Sequence, residues 1–180
     1  DPDAMQGLNA AQLTGLSTAN AGALTATQVA KLNYVQVSKL PVADINAMST
    51  DAIASIPTGA VRGFTTNQLT GISALKAAAL TDEQMTMLSA AQVGSFSNTA
   101  LNGLTTTAIA AITPGAITGL TSSQVSNLSD TNAGALTTDQ IAQLNSTQIG
   151  ALSSAALNAL SIDAMAAITT NAIAGLTTGQ

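Results

Sequence analysis

A large apolar residue recurs at every eighth position from Leu8 to Leu176, twenty-two times in succession, without one insertion or deletion. A second apolar ladder, from Met5 to Ile173, has the same step, and its only small members are Ala21, Ala77 and Ala133. An eight-residue period excludes the two simplest backbones. A continuous α-helix turns 100° per residue, so eight residues leave the ladder drifting around the axis. A single extended strand puts positions five apart on opposite faces, so the two ladders could not share one core.

A repeatedly restarted helix does fit. The residue after each first-ladder position is Ser, Thr, Asn or Pro, and Gln follows three places later in ten of the twenty-two repeats. Ser or Thr with Gln three residues on is a capping box, in which the two side chains satisfy backbone N–H groups at a helix start. The apolar residues on either side of this box are the halves of a hydrophobic staple. Leu136-Thr137-Thr138-Asp139-Gln140-Ile141 carries all these parts. Numbering each octad from its cap residue, the Gln is position 4, the second ladder position 5 and the first ladder position 8. The pattern predicts an all-α solenoid of very short capped helices, one per octad. A β-solenoid with an eight-residue coil is the alternative, disfavoured by Ala-rich interior positions. Pro114 suits the first residue of a helix, whereas Pro41 and Pro57 fall in the cap slot, where they fit poorly.

A longer period lies above the octad. Ala21, Ala77 and Ala133 are spaced seven octads apart, and the Gln at position 4 follows the same rhythm. The chain therefore reads as one domain, residues 1–180, containing three super-repeats at about 9–64, 65–120 and 121–176. Either this longer period is a trace of duplication, or seven octads complete one superhelical turn. The second reading makes Ala21, Ala77 and Ala133 tight-packing positions where successive turns meet. It also makes the arc of Gln12, Gln28, Gln36, Gln68, Gln84, Gln92, Gln124, Gln140 and Gln148 a distinct face of the superhelix.

Composition narrows the function. Neither Cys nor His occurs, which removes disulfides, thiolate nucleophiles, sulfur ligands and the commonest general base. Four basic against nine acidic residues give a net charge of −5, without the clustered Lys and Arg that a nucleic-acid backbone requires. No apolar run is long enough to span a membrane. The densest acidic spot, Asp82-Glu83, reads as first-turn helix residues. Asp44, Asp51, Asp130, Asp139 and Asp163 are expected at scattered solvent-facing slots. Gly7, Gly15, Gly63, Gly71, Gly103, Gly119 and Gly175 precede the ladder residue, where each helix must end. Phe64 and Phe96 lie on the core ladder. The opening DPDAMQ looks like the cut end of a longer array, and neither end carries an evident polar cap. No catalytic, cofactor-binding or metal-binding constellation interrupts the octad.

The stretches Leu136 to Ile149 and Leu160 to Leu176 resemble the Thr/Ala/Gln-rich tandem arrays, of the type LTTxQIAAL, in large secreted bacterial surface and adhesin-like proteins. The resemblance implies an exported, extended stalk or filament segment and assigns no binding residues. The expectation is thus a non-enzymatic structural repeat module at the cell surface, without cofactors, associating with itself or with neighbouring repeats. A glycan- or peptide-binding solenoid using the Gln arc is the alternative, and ice binding by Thr rows a minor one.

Overall fold

In the computed structural model, which describes all residues 1–180, every octad forms one helical element and there are no strands. Twenty α-helices, from α1 (Ala10–Thr14) to α20 (Thr170–Ile173), are joined by two 3-10 turns in their own octads, Pro2–Gly7 and Val61–Gly63. Each α-helix is only four to six residues long, far below the length at which a helix is stable alone. Capping and packing must therefore define it.

The local mechanism repeats. The cap residue adopts an extended backbone, as at Thr105 (φ −68°, ψ 158°), and its hydroxyl accepts from the Ala108 N–H three residues on. Where position 4 is Gln, its Oε1 accepts in return from the cap N–H, closing the box. Nine α-helices carry both halves. Most helices end on an i→i−3 bond from position 8 to position 5, as from Leu144 N–H to the Ile141 carbonyl at 3.1 Å. Position 8 then turns extended, and the chain caps again. Proline tests the rule. Pro114 is the first residue of α13 (Pro114–Ile117) behind a normal Thr113 cap. Pro41 starts α5 (Val42–Ala47) without a side-chain cap, and the Pro57 octad forms no α-helix, only the 3-10 turn.

The octads wind into a superhelix whose pitch is set by which residues meet. Side-chain hydrogen bonds and close backbone approaches between coils join residues 25, 28, 29 and 31 apart. These separations centre on 28 residues, so one coil takes about three and a half octads. The seven-octad period therefore spans two coils, which differs from the reading of seven octads as one superhelical turn. With a half-integral number of octads per coil, each octad lies over the junction of two below it. Only after seven octads does the chain recover the same azimuth.

The 56-residue period has structural content. The most closely packed helix pairs are α2 (Thr18–Gly22) on α5, α8 (Ala74–Ala77) on α11 (Asn98–Gly103), and α15 (Asp130–Gly134) on α18 (Ser154–Ala159). These three pairs are equivalent under a seven-octad shift, and each contains one of the three small ladder residues. Ala21, Ala77 and Ala133 are fully buried. Beside them, positions 22 and 47, 78 and 103, and 134 and 159 each hold one glycine and one alanine, and a Cβ on Gly22 or Gly134 would meet the backbone of Ala47 or Ala159. The order reverses in the middle copy, where a Cβ on Gly103 would meet Ala74.

Both ladders converge on one continuous core of 44 buried residues running the length of the stack, in which Phe64 and Phe96 are filler. The accessible surface is 7830 Å², close to the roughly 7,900 Å² of a compact globular monomer of this mass. The coils are therefore stacked in contact, with no open lumen. No helix is long and apolar enough to cross a membrane.

Candidate functional site

The glutamines expected to form a distinct face are turned inward. Gln36, Gln68, Gln84, Gln92, Gln124, Gln140 and Gln148 are buried, and Gln140 has no exposed surface at all. Only Gln12, exposed, and Gln28, half-buried, in the first coil retain contact with solvent. While Oε1 of each buried Gln closes its own capping box, Nε2 reaches the preceding coil. Gln140 Nε2 donates to the Ile109 carbonyl at 2.8 Å and the Ile112 carbonyl at 2.6 Å. Gln68 does the same to Val37 and Leu40, and Gln84 to Ile53 and Ile56. The acceptors lie 31 and 28 residues back, at positions 5 and 8 of the octad below. One planar amide thus starts a helix in its own coil and caps the end of a helix in the coil beneath. Burial of an amide is tolerated because both its ends are satisfied.

The ladders have a direction along the stack. In the first coil the position-5 residues Leu13, Ala21 and Val29 are fully buried, while the position-8 residues Leu8, Leu16 and Leu24 are only half-buried. In the last coil the position-5 residues are the open ones: Met165 is 39% exposed and Ile173 52%. Position 8 therefore faces the coil before it and position 5 the coil after it.

Asn46 and Asn102 make a second inter-coil link that the octad pattern did not reveal. Asn102 Nδ2 donates to the Asn127 carbonyl at 2.7 Å, and its Oδ1 accepts from the Ser129 N–H at 2.8 Å. Asn46 bridges Gly71 and Ser73 in the same way. The signal was present: Asn46, Asn102 and Asn158 recur at a spacing of seven octads.

Of the glycines before the ladder, Gly63, Gly71, Gly103, Gly119 and Gly175 serve close approach to another coil, while Gly7 has open space around it. No residue has a positive φ, so none of them provides a left-handed helix end. A Cβ on Gly63 would run into the Tyr34 carbonyl, and one on Gly119 into the carbonyl of Ala90. Asp44 also departs from the expected solvent-facing slot. It occupies position 4 of its octad, is 2% exposed, and its Oδ2 has no hydrogen-bond partner. At the same position Asn132 donates to the Leu101 carbonyl at 3.2 Å, a bond that a carboxylate cannot make. Asp51, Asp82, Glu83, Asp130, Asp139 and Asp163 are exposed as expected.

The outer surface is Thr, Ser, Ala and Asn. No group of three or more acidic residues is close enough to hold a metal ion. One ion pair is present, Lys31 Nζ to Asp3 Oδ1 at 2.8 Å, and this hydrogen bond with the ammonium charge holds the Asp3 carboxyl below its ordinary range. The principal groove, about 480 Å³, lies between α1 and α4 (Tyr34–Val37) and is lined by Leu8, Leu13, Tyr34, Val35 and Lys39 among others. Comparison with protein-family models, with curated proteins and with solved structures returned no match. The class is accordingly defined by the geometry alone, as an octad-based α-solenoid.

Proposed function

We propose that this chain is a non-catalytic structural repeat module, a stiff spacer segment of an extracellular surface protein such as a stalk or adhesin. The observation that carries this reading is the reuse of one joint. From Gln36 to Gln180 the same amide-to-carbonyl staple recurs between coils, each time with a bond to the carbonyl 28 residues back. A polar group that a binding or catalytic site would display is instead consumed in holding the stack together. Contacts between nearest neighbours let such an array be lengthened without redesign. Few charges and abundant hydroxyl and amide groups suit an exported surface segment.

The test is insertion of a second copy of residues 65–120 between Ala116-containing α13 and the octad that follows it, after residue 120. Two added coils at about 10 Å each should lengthen the particle by about 20 Å in small-angle scattering, with an unchanged cross-section. A thicker particle, or one that loses its single unfolding transition, contradicts the spacer reading.

A further inference from the structure

We propose that the slots at Ala100, Ala108 and Ala116 each bind one water molecule, which takes over both hydrogen-bonding tasks that the glutamine amide performs in other octads.

Within residues 65–120 the cap N–H groups fall into three sets. At Thr65, Thr81 and Ser89 the N–H donates to the octad's own Gln Oε1. At Ser73 it donates to Asn46 Oδ1 of the preceding coil. At Ser97, Thr105 and Thr113, where position 4 is Ala, it meets no acceptor in the protein. The carbonyls are left over in the same three places. The residues 28 places before these alanines are Ile72, Leu80 and Leu88, only 3–4% exposed, and their carbonyls receive no hydrogen bond. The joint between α7 (Thr66–Gly71) and α11 adds another such group. Leu69, 31 residues before Ala100, has no exposed surface, and its carbonyl also lacks a donor. All these residues lie in interior coils, with further coils before and after them.

Each slot thus sets one unpaired donor opposite one or two unpaired acceptors, in the arrangement that Gln bridges elsewhere. Buried main-chain groups are almost always paired, either with protein or with ordered water. A water oxygen can accept from the cap N–H while its two O–H groups donate to the carbonyls. A cation would face the N–H and an anion the carbonyls, so the complement is that of a neutral molecule. Size agrees, because Ala lacks the methylene and carboxamide of Gln, a larger volume than the roughly 30 Å³ of one water.

The slot equivalent to Ala100 one super-repeat earlier holds Asp44, whose Oδ2 is buried without a partner. The same spacing sets this carboxylate against the carbonyls of Leu13 and Leu16. Acceptors there face acceptors, which again calls for a molecule with two donors, and an Asn at that position would supply the donor itself. Water is the weaker staple, since it must be immobilised and is not tied to the chain.

Magnetisation transfer from water to backbone amides, measured by NMR on the whole chain, tests this. The N–H groups of Ser97, Thr105 and Thr113 should show the signal of a water that stays far longer than surface hydration does. Thr81 and Ser89 carry the same cap hydroxyls, so transfer relayed through a hydroxyl is common to both sets, and they should lack the additional signal. In Ala100→Gln the signal at Ser97 should disappear, as the carboxamide closes the capping box, while those at Thr105 and Thr113 persist. Equal signals at the Ala and Gln octads of the wild-type chain would overturn the proposal, and this comparison needs no variant. A folded Ala100→Gln chain that keeps the long-lived signal at Ser97 would overturn it as well.

Discussion

Gln140 and Ile112 are 28 residues apart in the chain, yet the Gln140 side-chain amide donates to the Ile112 carbonyl at 2.6 Å. The same side chain closes the capping box at Thr137. A residue that looks like a local helix signal is therefore also the element that sets the pitch of the superhelix.

Gln140→Ala should accordingly cost more than a capping change does. It leaves the Ile109 and Ile112 carbonyls buried with one bond fewer and removes half of the box. A loss of about 2–4 kcal/mol is expected, since unsatisfied buried groups cost about 1–3 kcal/mol each. Gln12→Ala, where no inter-coil bond exists, should cost about 1 kcal/mol, the ordinary size of a cap effect. Urea unfolding of both variants makes the comparison, and equal losses would remove the inter-coil role.

Asp44→Asn should stabilise the chain. Asp44 Oδ2 is buried without a partner, and an amide in the same slot can donate to a carbonyl of the coil below, as Asn132 does. A gain of about 1–2 kcal/mol is expected from one satisfied buried group. A lower melting temperature in the variant would contradict this.

Two glycines separate close approach from chain flexibility. A Cβ on Gly119 would meet the Ala90 backbone, while Gly115 has open space around it. Gly119→Ala should destabilise by about 1–3 kcal/mol through overpacking. Gly115→Ala should be neutral or stabilising by up to about 1 kcal/mol, because alanine restricts the unfolded chain. Thermal melts of the pair suffice.

Ala133→Leu should also destabilise by about 1–3 kcal/mol or more, although leucine fills the equivalent position-5 slots at Leu13, Leu69, Leu101 and Leu157. Ala133 is fully buried between α15 and α18, the pair in closest contact in its super-repeat. The same substitution at exposed Ala30 should stay within about 0.5 kcal/mol, as surface changes do. A tolerant Ala133 would mean that the 56-residue period is only a trace of duplication.

What was legible in the sequence is what depends on neighbours within one octad. The caps, the staples and both ladders rest on spacings of three to five residues, and the structure forms them as read, with Pro41 and Pro57 as the two weak helix starts. Relations between coils were less accessible. The seven-octad rhythm was visible, but a period does not say how many turns it contains, and half-integral stacking made two coils look like one. A capping box uses only Oε1, and nothing local shows where Nε2 points, so the octad alone does not reveal that the glutamines face inward. The charge of Asp44 points to solvent, whereas its slot belongs to the inter-coil amide series.

Disulfide trapping tests the winding most directly. The chain has no cysteine, and a Cβ built on Gly22 lies 3.7 Å from the Ala47 Cβ, within the span that a disulfide bridges. The double variant Gly22→Cys with Ala47→Cys should cross-link rapidly under mild oxidation of the folded protein. Gly22→Cys with Ala78→Cys, seven octads apart and two coils away, should remain reduced. Cross-linking of the second pair and not the first would mean that seven octads make one turn, and the account of the stapled coil would be wrong.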